Sequence, residues 1–193
     1  TTGIELGVVS IPAYMLAYAL VSSFAPWPFA LAAAVLAFAA ATSLLQYVEI
    51  GLLAAAAVAV ASLTFAALVL PRPRGPIVPV KLPAWDIPAR MAATFALVAV
   101  IMTGADVLGS RLSGIVSTYP VILTVIGTFT HYQSGVDALR RVLRGLTLSL
   151  NSFIAFFVVV GFTLPRIGLL GSYLAAMAVA IAISAALVAR ARR

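Results

Sequence analysis

Between Glu5 and Arg72 the chain carries a single charged side chain, Glu49. No water-facing surface can be built from such a run, because soluble domains place charge on about a quarter of their residues. Downstream, the charges gather in short clusters, chiefly from Arg72 to Arg90 and from Arg140 to Arg144, and the stretches between them are again apolar. Over all 193 residues, 64% are hydrophobic and 9% charged, and the mean hydropathy is +1.17. A water-soluble fold is excluded. The fold class that remains is all-α, a polytopic transmembrane helix bundle.

A bilayer core about 30 Å thick is crossed by about 20 helical residues at 1.5 Å each. Cutting the chain at Pro, Gly and charge gives about seven membrane-spanning helices, from Ile4 to Phe24, Phe29 to Tyr47, Ile50 to Leu70, Ala89 to Gly109, Leu112 to His131, Val142 to Leu164 and Gly168 to Ala189. Pro26-Trp27-Pro28 cannot continue a helix and sets an indole at headgroup depth, while Gln46 to Glu49 supplies a polar hairpin. Residues 71–88 are Pro-rich and therefore extended, with Trp85 as an interfacial anchor, so they form a connector between helices in 1–70 and helices in 89–193. The chain opens on Thr without a signal-peptide pattern, so a processed or incomplete start is expected.

Seven crossings divide the 12 basic residues unevenly. Arg72, Arg74, Lys81, Arg90, Arg140, Arg141, Arg144, Arg190, Arg192 and Arg193 fall on one face, and only Arg111 and Arg166 on the other. The positive-inside rule makes the richer face cytoplasmic, which puts the C-terminus inside and Thr1 outside an inner (plasma) membrane. Arg140, Arg141 and Arg144 are then placed to meet anionic lipid. The net charge of +7 does not indicate nucleic acid, because the positives sit in short loops and form no basic face on a soluble module.

Sliding the first two segments over the last two by 139 residues matches Ser10 with Ser149, Tyr14 with Phe153, Tyr18 with Phe157 and Pro26 with Pro165. The two copies would cross in opposite senses, giving an inverted repeat of the kind transporters use, with the third segment as the odd linker and two further helices expected before Thr1. From Arg111 to Phe157 a Gly precedes the aromatic-Pro pair Tyr119-Pro120, His131 is followed by Gly135, Ala138-Leu139-Arg140 runs together, and aromatics follow Asn151. This quarter of the chain resembles the GlpM-like family of small bacterial inner-membrane proteins. The resemblance implies a multi-pass membrane protein and no catalytic residues.

A charge at the bilayer centre costs about 2.5 to 3.5 kcal/mol on insertion scales, and none is expected there, since Asp106 falls near the outer surface beside Arg111. A proton-coupled pump is disfavoured. Five acidic side chains, one His and no Cys provide no catalytic constellation, cofactor site or metal site, so no enzyme is expected. His131 reads as interfacial. What reaches mid-membrane is neutral and polar: Asn151 and Ser152 on the sixth segment, and Ser117 and Thr124 on one stripe of the fifth. Pro120 interrupts the fifth segment near its middle and frees a backbone carbonyl, and broken helices often line binding sites. Ser117, Tyr119, Pro120, Thr124, Asn151 and Ser152 are therefore the candidate substrate-binding residues of a secondary transporter or permease for a small polar solute. The same features also read as interhelical glue and a packing bend. The alternative is a non-catalytic accessory subunit of a larger membrane complex, because the Ala- and Gly-rich helices offer smooth faces for homo-oligomers or partners.

Overall fold

The computed structural model describes residues 2–45, 47, 50–75, 82–116 and 118–191. The order is α1 (Thr2–Val21), α2 (Trp27–Leu45), α3 (Leu52–Val69), α4 (Asp86–Val116) and α5 (Val121–Ala191), with no strand among the described residues. Helix is the only secondary structure that satisfies each backbone group within its own segment, and these apolar stretches leave nothing else to satisfy them. Pro28 falls in the first turn of α2, where a missing N–H costs nothing, so the Pro-Trp-Pro signal starts that helix as well as ending the one before.

Straight, the 71 residues of α5 would reach over about 100 Å, some three bilayer thicknesses. It does not run straight. Gly135 (φ 81°, ψ −179°) and Gly168 (φ 70°, ψ −178°) adopt a conformation open only to glycine and fold the element into arms of residues 121–134, 136–167 and 169–191. Across the second corner, Ser184 donates to Ser152 at 2.8 Å, and across the first, Gly127 faces Leu139. Neighbouring arms are thus antiparallel. The α1–α2 hairpin carries the matching bond, from Thr42 to Ser10 at 3.0 Å.

α1 is the centre of the bundle, packed against α2, α3 and α5. Tyr14, Met15 and Tyr18 are fully buried among Ala30, Ala34, Phe38, Leu123, Leu139 and Leu143. α3 lies against both α1 and α5, where Ala59 and Leu63 meet Val8 and Ile154. The outer surface is hydrocarbon, with Leu36, Phe65, Leu68, Phe95, Leu170 and Ile181 all exposed. Contiguous exposure on that scale marks lipid as the solvent.

Four described stretches are long and apolar enough to cross a membrane, Trp27–Leu45, Leu52–Val69, Asp86–Gly104 and Val121–Leu187, with Gly7–Val21 shorter. The expected turn between Gly109 and Leu112 is helical instead, and α4 continues to Val116. The chain breaks at Pro120, which lacks an N–H and forces Tyr119 out of the helical region, so residues expected in one fifth segment divide between α4 and α5. Helix resumes at once: the Thr124 amide donates to the Pro120 carbonyl at 2.8 Å.

Candidate functional site

Two polar rows meet where α1 packs on the first arm of α5. Ser10, Tyr14 and Tyr18 on α1 and Ser22 just past its end repeat every fourth residue, share one face, and are all buried. Thr124, Thr128 and His131 form the facing row. Thr124 has one hydroxyl proton and donates it to the Tyr119 hydroxyl at 3.0 Å, so the 3.0 Å bond to Tyr14 is donated by Tyr14. Tyr18 donates to Thr128 at 3.4 Å. Ring edges close the seam, with Tyr14 at 6.0 Å from Tyr18 and Phe38 at 5.3 Å from Tyr119.

At the break this seam borders a cavity of about 430 Å³. Val8 and Ile11 of α1 form one wall, Leu150 and Phe153 of the second arm the other, and Tyr119 and Pro120 the floor. Among the described residues no charged side chain lines it. Gly7 admits α1 to the break, since a Cβ there would overlap the Thr118 side chain.

Of the residues expected to bind substrate, Tyr119 and Pro120 line this cavity, and Thr124 stands behind Tyr119. Asn151 and Ser152 do not join them. The Asn151 amide donates to the Thr147 carbonyl of its own helix at 2.8 Å, and Ser152 is taken by Ser184. Leu146, Leu150, Phe153 and Phe157 share the helix face that meets the cavity, and Asn151 and Ser152 are turned from it by about 100° per residue. Ser117 lies outside the described residues, as do the side chains of Asp106 and Arg111. Tyr14 and Tyr18 were not expected as partners of Thr124 and Thr128, although they stand at four-residue spacing with Ser10 and Ser22. His131, expected at the interface, is 9% exposed, lies tilted against the Tyr18 ring at 5.9 Å, and has no hydrogen-bond partner for Nδ1 among the described residues.

Among the described residues Arg74, Arg90, Arg140, Arg141 and Arg144 gather at one end. Asp137, just past the Gly135 corner, accepts from the Gly75 amide at 3.0 Å and the Arg74 amide at 3.3 Å, and pairs with Arg140 at 3.0 Å. Arg140 also donates to Ser23 at the end of α1, so α1 and the second arm run antiparallel. Arg141 donates to the Gly75 carbonyl, and Arg144 to the Leu70 carbonyl at 2.9 Å and the Ala67 carbonyl at 3.3 Å, closing the C-terminus of α3. Asp86 receives Arg90 at 2.9 Å and Gln133 at 2.6 Å, which brings α4 to the same end. Each arginine expected to meet lipid therefore also has a protein partner. Trp27 against Tyr132 and exposed Trp85 add the aromatics of an interfacial belt. The side chains of Lys81, Arg190, Arg192 and Arg193 lie outside the described residues.

Among the described residues no three His, Cys, Asp or Glu side chains gather as metal ligands. Comparison of the chain with family models, curated proteins and solved structures finds no match.

Proposed function

We propose that the chain is a GlpM-like bacterial inner-membrane permease that threads the bilayer seven times, with its arginine-rich end and C-terminus in the cytoplasm and Thr1 outside. α1 to α4 supply four crossings and the arms of α5 the other three. The first arm, 14 residues of helix or about 21 Å, reaches a full crossing with the extended break before it, which adds about 3.3 Å per residue. Clustering of Arg74, Arg90, Arg140, Arg141 and Arg144 at one end supports the orientation.

Equivalence of the two hairpins supports the inverted repeat. Ser152 follows Ser10, and Ser184 follows Thr42, by the same 142 residues, a shift that also carries Pro26 onto Gly168. The hydroxyl bonds favour this register over the 139-residue one. α1 and the second arm become counterparts running in opposite senses, and α3 packs against both as the odd linker.

The observation that carries the transport reading is the cavity at a helix break, bordered by a buried hydroxyl row. A small polar solute would exchange water for the Tyr119 hydroxyl, which Thr124 and Tyr14 hold from behind, and among the described residues it would meet no charge. Proteoliposomes containing the purified chain test this against a panel of radiolabelled neutral solutes. Saturable uptake of one of them, reduced by Tyr119→Phe, is the expected result, and no uptake of any would refute it. The exposed apolar faces of α2 and the third arm favour a second reading, an accessory subunit. Gentle extraction followed by mass measurement decides it: stoichiometric co-purification with other chains supports the subunit, and a lone monomer or homo-oligomer refutes it.

A further inference from the structure

We propose that the cavity between α1, the break at Pro120 and the second arm is a binding site for a single uncharged hydrocarbon chain, the tail of an amphipathic molecule whose polar group rests on the Tyr119 hydroxyl. The inference rests on the permease reading and names the class of solute. Three observations lead to it.

The first is position. Under the 142-residue shift, Val8 corresponds to Leu150 and Ile11 to Phe153, and these four side chains are the facing walls of the cavity. The space therefore lies between equivalent positions of the two hairpins, where transporters built from inverted repeats hold their substrates. The second is chemistry. Its walls are aliphatic and aromatic, and among the described residues its polar side chains are Thr118 and Tyr119, both at the break, where Tyr119 accepts from Thr124. An apolar cavity stays dry, so any part of the solute beyond reach of the Tyr119 hydroxyl must itself be apolar. A hydrocarbon chain loses nothing by entering. The third is size: about 430 Å³ falls within the 300 to 1,000 Å³ of small-molecule sites, which are mostly apolar with a few placed polar groups.

The chain could come from a bilayer lipid or from a soluble amphiphile, and one labelling experiment separates them. The full-length protein in detergent is irradiated with 1-dodecanol carrying a diazirine at its terminal carbon, and the modified residues are mapped by mass spectrometry. Label is expected on Ile11, Leu150 or Phe153. Leu150→Trp, which fills the space, should lower it at least tenfold, while Leu174→Trp, on the lipid-facing surface, leaves it unchanged. Val8→Phe narrows the cavity from the other wall and serves if Leu150→Trp does not elute as a folded protein. Competition by excess phosphatidylethanolamine assigns the site to a lipid tail, and competition by plain dodecanol alone assigns it to a soluble amphiphile. Label scattered over the exposed surface, or unaffected by both competitors or by the filling variants, overturns the proposal. Specific label without solute flux would sink the permease and leave the site standing, whereas flux without specific label would do the reverse.

Discussion

Replacing Thr124 with Val keeps the shape of the side chain and deletes the hydroxyl that joins Tyr14 to Tyr119. Two 3.0 Å bonds disappear together, and the Tyr14 hydroxyl, on a fully buried ring, loses its acceptor. Interhelical hydrogen bonds in bilayers are worth about 0.6 kcal/mol on average and up to about 1.7, so the substitution should cost about 1 to 3 kcal/mol. Tyr14→Phe removes one of the two bonds and should cost about 0.6 to 1.7 kcal/mol. In the double variant the shared bond is lost only once, giving a coupling energy of about 0.6 to 1.7 kcal/mol. Asn151→Leu is the control, since its amide serves a carbonyl of its own helix and should cost under about 0.5 kcal/mol. Titration with sodium dodecyl sulfate in bicelles, followed by circular dichroism, measures all four. A coupling below about 0.3 kcal/mol, or an Asn151→Leu cost above that of Thr124→Val, would refute the packing of α1 on the first arm.

Further expectations follow from the corners and the arginine end. Gly135→Ala and Gly168→Ala should each cost about 1 to 3 kcal/mol in the same titration from backbone strain alone, because a Cβ at either position meets nothing within 4 Å. Gly145→Ala, equally open but helical, should instead stabilise by about 0.5 to 1 kcal/mol. Arg144→Met uncaps α3 and removes charged donors from two carbonyls, at an expected cost of about 1.5 to 3 kcal/mol by the same method. Asp137→Asn weakens the hold on the Arg74 and Gly75 amides and should speed tryptic cleavage after Arg74 several-fold, as read by mass spectrometry of the fragments.

The helical class was legible because 20-residue apolar windows admit no other satisfied backbone. The α1–α2 turn was legible because Pro26-Trp27-Pro28 cannot continue a helix, and the corners near His131 and Gly168 because glycine and charge interrupt the apolar pattern. The end of α4 was misplaced for a definite reason: Gly109 to Gly114 holds weak breakers that a membrane helix tolerates, while Pro120 imposes a steric stop. At the site, the break at Tyr119-Pro120 could be read from one proline. The partners of Thr124 could not, because they lie 110 residues away on α1. Asn151 drew attention by its cost in hydrocarbon, yet the nearest carbonyl satisfied it locally, and the apolar residues on the neighbouring stripe face the cavity.

Threading with the arginine-rich end inside is tested most directly by single-cysteine labelling, for which the absence of native cysteine leaves no background. Arg72 and Arg166 are both exposed, one in the connector held by Asp137 and the other beside the Gly168 corner. A membrane-impermeant maleimide added to intact cells should label Arg166→Cys at once and Arg72→Cys only after permeabilisation. Labelling of both from the same side, or of Arg72→Cys alone from outside, would contradict the account.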